Sequence, residues 1–297
     1  MRLFGGSGAR GTVTLAFETE ELRFLATEGD EVTKWGRIPL PTGLVSEGLI
    51  TSAVEMGEIL DDLFEEEDLD RERVITSVSA LRSVPRMITM PRLQASVLQE
   101  AVSREAKKEM PVPLDDLYLS WESMPDAGDQ QRVYLLGVPR EFIDAQVRSL
   151  EAAGIRPLVM DLKPLALVRA VEEPEAIIVN LEEYALDIVL VVDYLPAIMR
   201  AFSFAGEDVD QQAKRDRLLN ELTQTVRFYN DGHGNAPIRS STPVYVTGKL
   251  LSGADAINYM TGVLDRPVER PQAPMECPEE LPVSEYLTNF GLALKEV

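Results

Sequence analysis

Apolar positions along this chain recur with two periods, and the order in which the periods alternate sets out an architecture before any motif is consulted. Val13 to Phe17 and Leu22 to Ala26 are short apolar runs separated by the polar turn ETEE, which predicts a pair of adjacent strands. Trp35 to Ile50 loses the pattern, with Gly36, Pro39, Pro41, Gly43 and Gly48 breaking it, and reads as irregular. Val54, Ile59, Leu60, Leu63 and Phe64 then form one helical stripe between about Ser52 and Glu66, followed by a strand in RVITSVSAL. Leu93, Val97, Leu98, Ala101 and Val102 return to helical spacing, and that helix must end by Met110, ahead of Pro111. DLYLSWESM and RVYLLGVP read as strands flanking the turn PDAGDQQ. The stripe Phe142, Ile143, Val147 and Leu150 predicts a helix that stops at Gly154.

After a further strand and short helix in IRPLVMDLKPLALVRAV, the opening pattern returns. IIVNL and ALDIVLVVD are buried-strand runs joined by a tight turn whose tip is Glu182 and Glu183, where a glycine, asparagine or aspartate is usual. LPAIMRAFSF adds a third strand. A long charged helix runs from about Val209 to Tyr229, PVYVTG is a buried strand, and SGADAINYMTGVL and PVSEYLTNFGLAL are helices on either side of a proline-rich run. Ala16 and Asn180, 164 positions apart, hold equivalent places in two strand-turn-strand units. The chain therefore reads as a duplicated α/β fold: a first half at 1–86 and 156–175, a small α+β subdomain inserted at 87–155, and a second half at 176–297.

Composition narrows the chemistry. The 29 Lys and Arg against 50 Asp and Glu give a formal net charge of −21, which opposes sequence-independent attraction to nucleic acid or anionic lipid. One cysteine, Cys277, excludes an internal disulfide, and one histidine, His233, set in the loop NDGHGNAP, offers neither a zinc cluster nor an oriented base. No metal site is expected. The sequence shows neither a charged-then-apolar leader nor an 18-residue apolar stretch, so a cytoplasmic protein is expected, with any membrane link made through a partner.

Four runs, in order, resemble one family. LPTGLVSEGLI matches LP-x-G-x-V-x-x-G-x-I at Leu40, Pro41, Gly43, Val45, Gly48 and Ile50. EAKKEMPVPLD matches E-A-x-x-x-x-P-x-P-L-D at Glu105, Ala106, Pro111, Pro113, Leu114 and Asp115. LEAAGIRPLVMDLKPLALVRA keeps Leu150, Glu151, Ala153, Gly154, Pro157, Asp161, Pro164, Ala166, Leu167, Arg169 and Ala170, and FGLALKEV closes in the family manner. With the duplicated halves, these resemble the PilM branch of the actin-like ATPase superfamily, cytoplasmic proteins of type IV pilus and related secretion machines that are similar to the division protein FtsA. The resemblance implies an actin-like (ribonuclease H-like) two-domain fold. It also implies a partner: the short cytoplasmic N-terminal peptide of a PilN-like single-span inner-membrane protein, held between the inserted subdomain and the first-half core. Arg86, Met87, Met90, Leu117 and Leu119 are the residues expected to line that groove.

The resemblance further implies two phosphate-clasping turns, of the forms D-I-G-S-S and D-I-G-A-S-T, where a bare backbone approaches phosphate oxygens. This sequence departs from both. Ala16 stands at the first aspartate, Glu18 at the glycine and Thr19 after it; Asn180 stands at the second aspartate, with Glu182 and Glu183 at the tip. Two unit charges 4 Å apart repel by roughly 4 kcal/mol at an effective dielectric near 20, before the several charges of a nucleotide are counted. In the adenosine-side loop Gly248 is retained but Lys249 and Leu250 replace the glycines that follow. The second half also offers a single helix where relatives carry a larger upper subdomain. A non-catalytic scaffold without a cofactor is therefore expected, a pseudo-ATPase for which ATP and magnesium are disfavoured. The alternatives are a working ATPase of the same fold and a membrane-bound FtsA-like division protein, whose basic amphipathic tail has no counterpart after FGLALKEV.

Overall fold

The computed structural model describes residues 11–124, 130–207 and 209–296. The glycines at 5, 6 and 8 and the tip of the turn expected at 125–131 lie outside them. In chain order the elements begin with β1 (Thr12–Phe17), β2 (Glu21–Glu28), β3 (Glu31–Pro39), the short pair β4 (Val45–Ser46) and β5 (Leu49–Ile50), α1 (Ala53–Glu66) and β6 (Val74–Val78). There follow β7 (Val84–Pro91), α2 (Ala95–Glu109), β8 (Leu117–Ser123), β9 (Gln130–Pro139), α3 (Arg140–Ala152), β10 (Pro157–Leu162) and α4 (Lys163–Val171). The remainder comprises β11 (Glu175–Leu181), β12 (Ala185–Val192), β13 (Leu195–Ser203), α5 (Gln211–Gly232), β14 (Val244–Thr247), α6 (Ala254–Val263), β15 (Val268–Glu269) and α7 (Val283–Ala293).

Local chemistry fixes several boundaries. The Ser52 hydroxyl accepts from the Glu55 amide at 3.3 Å and starts α1, and the Asp210 carboxylate accepts from the Ala213 amide at 2.8 Å and starts α5. Gly154 follows α3 at φ 70°, and Pro164 sits in the first turn of α4, where its missing amide costs nothing. The expectation of an irregular segment after Trp35 is corrected: β3 runs through Trp35, Gly36, Arg37, Ile38 and Pro39. It is an edge strand, where proline is tolerated at the end, and Gly36 leaves room for the Phe24 ring, which an added Cβ would meet at 2.6 Å.

Contacts divide the chain into a large unit, residues 1–81 and 147–297, and a small unit, residues 82–146. The large unit holds two five-stranded sheets in the orders β3-β2-β1-β6-β10 and β13-β12-β11-β14-β15. In each, three antiparallel strands are followed by parallel ones, so the two halves share one topology. Leu25 and Val32 from the first sheet, Ile178 and Val189 from the second, Leu167 of α4 and Tyr286, Leu287 and Phe290 of α7 form one apolar cluster, so the halves share a core through the two helices. α4 and α7 approach so closely that a Cβ on Gly291 would lie 1.9 Å from the Ala166 carbonyl oxygen.

The small unit is the antiparallel sheet β7-β9-β8 with α2 packed on one face. Ile88, Met90, Leu117, Val133 and Leu135 meet Leu98, Val102 and Ala106 of the helix. Among the described residues, no helix is long and apolar enough to cross a membrane.

Candidate functional site

The two strand-turn-strand units bring the sequence-predicted residues of the large unit together. Ala16 pairs with Arg23 across β1 and β2, and Asn180 pairs with Asp187 across β11 and β12, so Arg23 and Asp187 are register equivalents. The turns close alike: the Glu18 amide donates to the Glu21 carbonyl at 2.9 Å and the Glu182 amide to the Ala185 carbonyl at 2.8 Å. Both glutamate side chains are buried, and so are two cations that face them. Arg23, Lys163, Glu182 and Asp187 are only 2, 5, 4 and 4 % exposed.

Arg23, on β2 of the first half, donates from Nη1 and Nη2 to the two carboxylate oxygens of Glu182 in the second half at 2.9 and 2.7 Å. Its Nε donates to Glu21 at 2.7 Å and its Nη1 also to the Glu285 carbonyl at 2.6 Å. Lys163, the first residue of α4, donates to both oxygens of Glu18 at 2.7 and 2.9 Å and lies 3.3 Å from Asp187, which in turn accepts from Asn180 at 3.2 Å. Asn289 on α7 donates from Nδ2 to the carbonyls of Thr14 and Arg23, fixing the strands that carry the pairs. At the rim, Lys214 pairs with Glu183, and Lys249 reaches Glu21 at 3.3 Å. Thr19 lines the recess beside Glu18 and Lys163.

The electrostatics follow from this packing. Burial pushes Glu18 up to about 7, with Glu182 adding to the rise and Lys163 and Arg23 opposing it. For the cations, burial acts downward but is outweighed. Arg23 is raised by Glu182 and Glu18, and Lys163 by Glu18, Asp187 and Glu182. Both therefore stay charged at neutral pH.

Sequence reasoning missed Arg23 and Lys163, although a signal existed. Each is a lone cation inside an apolar run, LRFLA and DLKPLAL, where a fully buried charge needs an opposite partner. Gly248 has a packing reason of its own: it sits at φ 90°, and a Cβ there would come within 2.5 Å of the Leu181 carbonyl oxygen. Several family-motif residues are likewise architectural. Arg169 donates to Asp161 at 2.7 Å and to the Gly291 carbonyl at 2.5 Å, tying α4 to α7; Gly48, with Glu47, supplies the positive φ angles of the β4–β5 turn, and Gly43 takes φ 85° in the turn that precedes β4. His233 is exposed and stacks on Tyr229 with ring centroids 4.1 Å apart. Among the described residues, no three His, Cys, Asp or Glu side chains are grouped to hold a metal ion.

In the small unit the predicted groove residues separate. Met90 and Leu117 are buried in the helix-facing core, and the half-buried Leu119 packs against it. Arg86 and Met87 are exposed. Strand register puts Met87 beside Tyr134 and Pro85 beside Leu136 on the face opposite the core, with Tyr118 and Ser120 on the neighbouring strand. Met87 is 46 % and Tyr118 42 % exposed. Tyr118 is the exposed aromatic of this face that sequence reasoning passed over; its hydroxyl donates to Asp144 at 2.9 Å and the Arg140 guanidinium lies 4.2 Å over its ring.

Duplicated sheets joined by a shared helix pair, with two equivalent turns facing each other, define an actin-like ATPase fold. Similar folds are found in a PilM–PilN type IV pilus biogenesis complex, at 21% identity over 95% of this chain and 97% of that one with a TM-score of 0.77. The ethanolamine utilization protein EutJ from Carboxydothermus hydrogenoformans matches at 11% identity over 96% and 89%, TM-score 0.57. A Bacteroides thetaiotaomicron protein of actin-like ATPase fold and unknown function matches at 10% identity over 97% of each chain, TM-score 0.52. The profile of the family "Type IV pilus assembly protein PilM" matches residues 22–213. The chain belongs to that family. No curated protein matches the sequence significantly.

Proposed function

We propose that this chain is a non-catalytic scaffold of a type IV pilus or related secretion machine, and that its cleft takes no nucleotide. The observation that carries this reading is that Glu18 and Glu182, at the two turn positions where a phosphate-clasping backbone is required, are buried and paired with the chain's own Lys163 and Arg23. A triphosphate entering there would displace two carboxylates from their cations and meet Glu20, Glu21 and Glu183 at the mouth as well. Asn180 and Ala16 leave no aspartate at the two positions that serve metal and water in the fold. Titration with magnesium and ATP, followed by calorimetry, is expected to give no saturable binding; micromolar binding would sink the reading.

The partner we propose is the N-terminal cytoplasmic peptide of a PilN-like single-span inner-membrane protein, which would keep this chain peripheral to that membrane without inserting into it. Support comes from the family, from the PilN present in the similar complex, and from the exposed Met87 and Tyr118 side chains on the sheet face opposite the α2 core. Fluorescence anisotropy with the labelled N-terminal peptide of a neighbouring single-span protein tests it. Micromolar binding is expected, and a failure of any such peptide to bind would remove the partner assignment.

A further inference from the structure

We infer that Glu182 and Glu18 are tethered anions seated in an anion site that the fold still builds, so that the site is occupied from within. This rests on the reading that the native cleft takes no nucleotide, and deepens it by saying what holds the place. The donors around Glu182 form a three-way cradle. Two guanidinium N–H groups of Arg23 meet the two carboxylate oxygens in a fork, and the backbone amide of Lys249 donates to the same carboxylate at 3.3 Å. That amide follows Gly248, whose φ of 90° no other residue could adopt against the Leu181 backbone, so the strand end is shaped to aim an N–H into the site. Around Glu18 the donor is the Lys163 ammonium, carried on the first residue of α4.

None of these donors depends on the carbon chain behind the carboxylate; each would serve a phosphate oxygen equally. Two small recesses of about 30 and 20 Å³ flank the pairs, and Glu18, Thr19, Tyr184 and Ala185 line both, so the Glu18 side chain stands on the wall between them and its removal would join them. A side chain held in place acts at an effective concentration in the millimolar range or above, which lets a tethered carboxylate outcompete a dilute soluble anion. Removing both carboxylates would leave Arg23, Lys163 and Lys249 facing Glu21 and Asp187, one net positive charge at the floor in the space the two side chains vacate, with Glu20 and the Lys214-paired Glu183 further out at the mouth.

The test uses the full chain and pyrophosphate as probe. The variant Glu18→Ala/Glu182→Ala is expected to gain a pyrophosphate-dependent rise in Tm, on the order of 3 °C at about tenfold the Kd. Wild type is expected to show none, and adding Arg23→Met to the double variant should abolish the gain. A folded double variant, by circular dichroism and gel filtration, with no pyrophosphate effect overturns the proposal. Should the double variant not fold, Glu182→Ala alone is titrated with acetate and with pyrophosphate, beside the rim control Glu183→Ala. Recovery of Tm in Glu182→Ala but not in the control supports the tethered anion, and its absence overturns it. The outcomes separate from those above: nucleotide binding by wild type would sink the nucleotide-free reading, whereas an unresponsive variant sinks only this one.

Discussion

The cleft floor of the large unit and the open sheet face of the small unit use charge in opposite ways. Residues 82–146 hold 8 Lys and Arg against 10 Asp and Glu, a net −2, whereas the rest of the chain holds 21 against 40, a net −19. At the cleft floor, charges that normally face water are buried and paired one against another. On the small unit, Met87 and Tyr118 are apolar surface left uncovered in a region that is nearly neutral. A site that has satisfied its own charges has no work left for a solute, while an apolar face on a neutral module suits a peptide. Under the proposed function, the contrast assigns partner binding to the surface of the small unit and a stabilising role to the paired charges of the large one.

The sharpest way to break this contrast is to unpair the floor. Arg23→Met leaves Glu182 buried without its guanidinium and is expected to cost about 3–5 kcal/mol in urea unfolding. Arg23→Met with Glu182→Met replaces the pair by apolar groups, and most of that loss should return, because a buried ion pair replaced by packed hydrophobic residues is often neutral in stability. A double variant no better than the single one would show that the pair has a net stabilising role of its own. Somewhat smaller is the effect expected at the helix pair. Gly291→Ala forces α4 and α7 apart at the Ala166 carbonyl and should cost about 1–3 kcal/mol. On the other side of the comparison, Met87→Asp should weaken peptide binding about tenfold or more while leaving Tm nearly unchanged, as an exposed position allows. Loss of Tm without loss of binding would assign Met87 to packing instead.

How legible was this in the sequence? The duplicated strand-turn-strand units were, because apolar runs such as Ile177–Leu181 are buried on both sides and need no tertiary information to stand out. β3 was not, since Gly36 and Pro39 are breakers in general and are tolerated only because the strand lies at an edge. The glutamates at 18 and 182 were legible as departures from a phosphate turn, yet their meaning was not. It depends on Arg23 and Lys163, which lie 159 and 145 positions from the glutamates they pair with, and periodicity carries no information on pairing at that range. For the small unit, alternation in β7 and β8 marks two faces but cannot say which one α2 covers. That is why Met90 and Leu117 were grouped with Met87, although they face the helix.

The mildest test separates the two turns themselves. Glu182 accepts three donors, while among the described residues Glu18 accepts from Lys163 alone, which is shared with Asp187. Glu18 is accordingly the group that burial raises, from an ordinary 4.5 to about 7. A carboxyl whose pKa is higher in the folded state than in the unfolded chain binds protons more tightly when folded, so its contribution is greatest below pH 4.5 and is lost as pH rises through the window to 7. Glu18→Gln keeps the shape and removes the titration. Urea unfolding between pH 5 and 8 should therefore show a shallower fall in stability for the variant than for wild type, with the two curves drawing together toward acid pH. If Glu18→Gln leaves the slope unchanged, Lys163 alone neutralises Glu18 at every pH in the window, and the two turns are electrostatically equivalent after all.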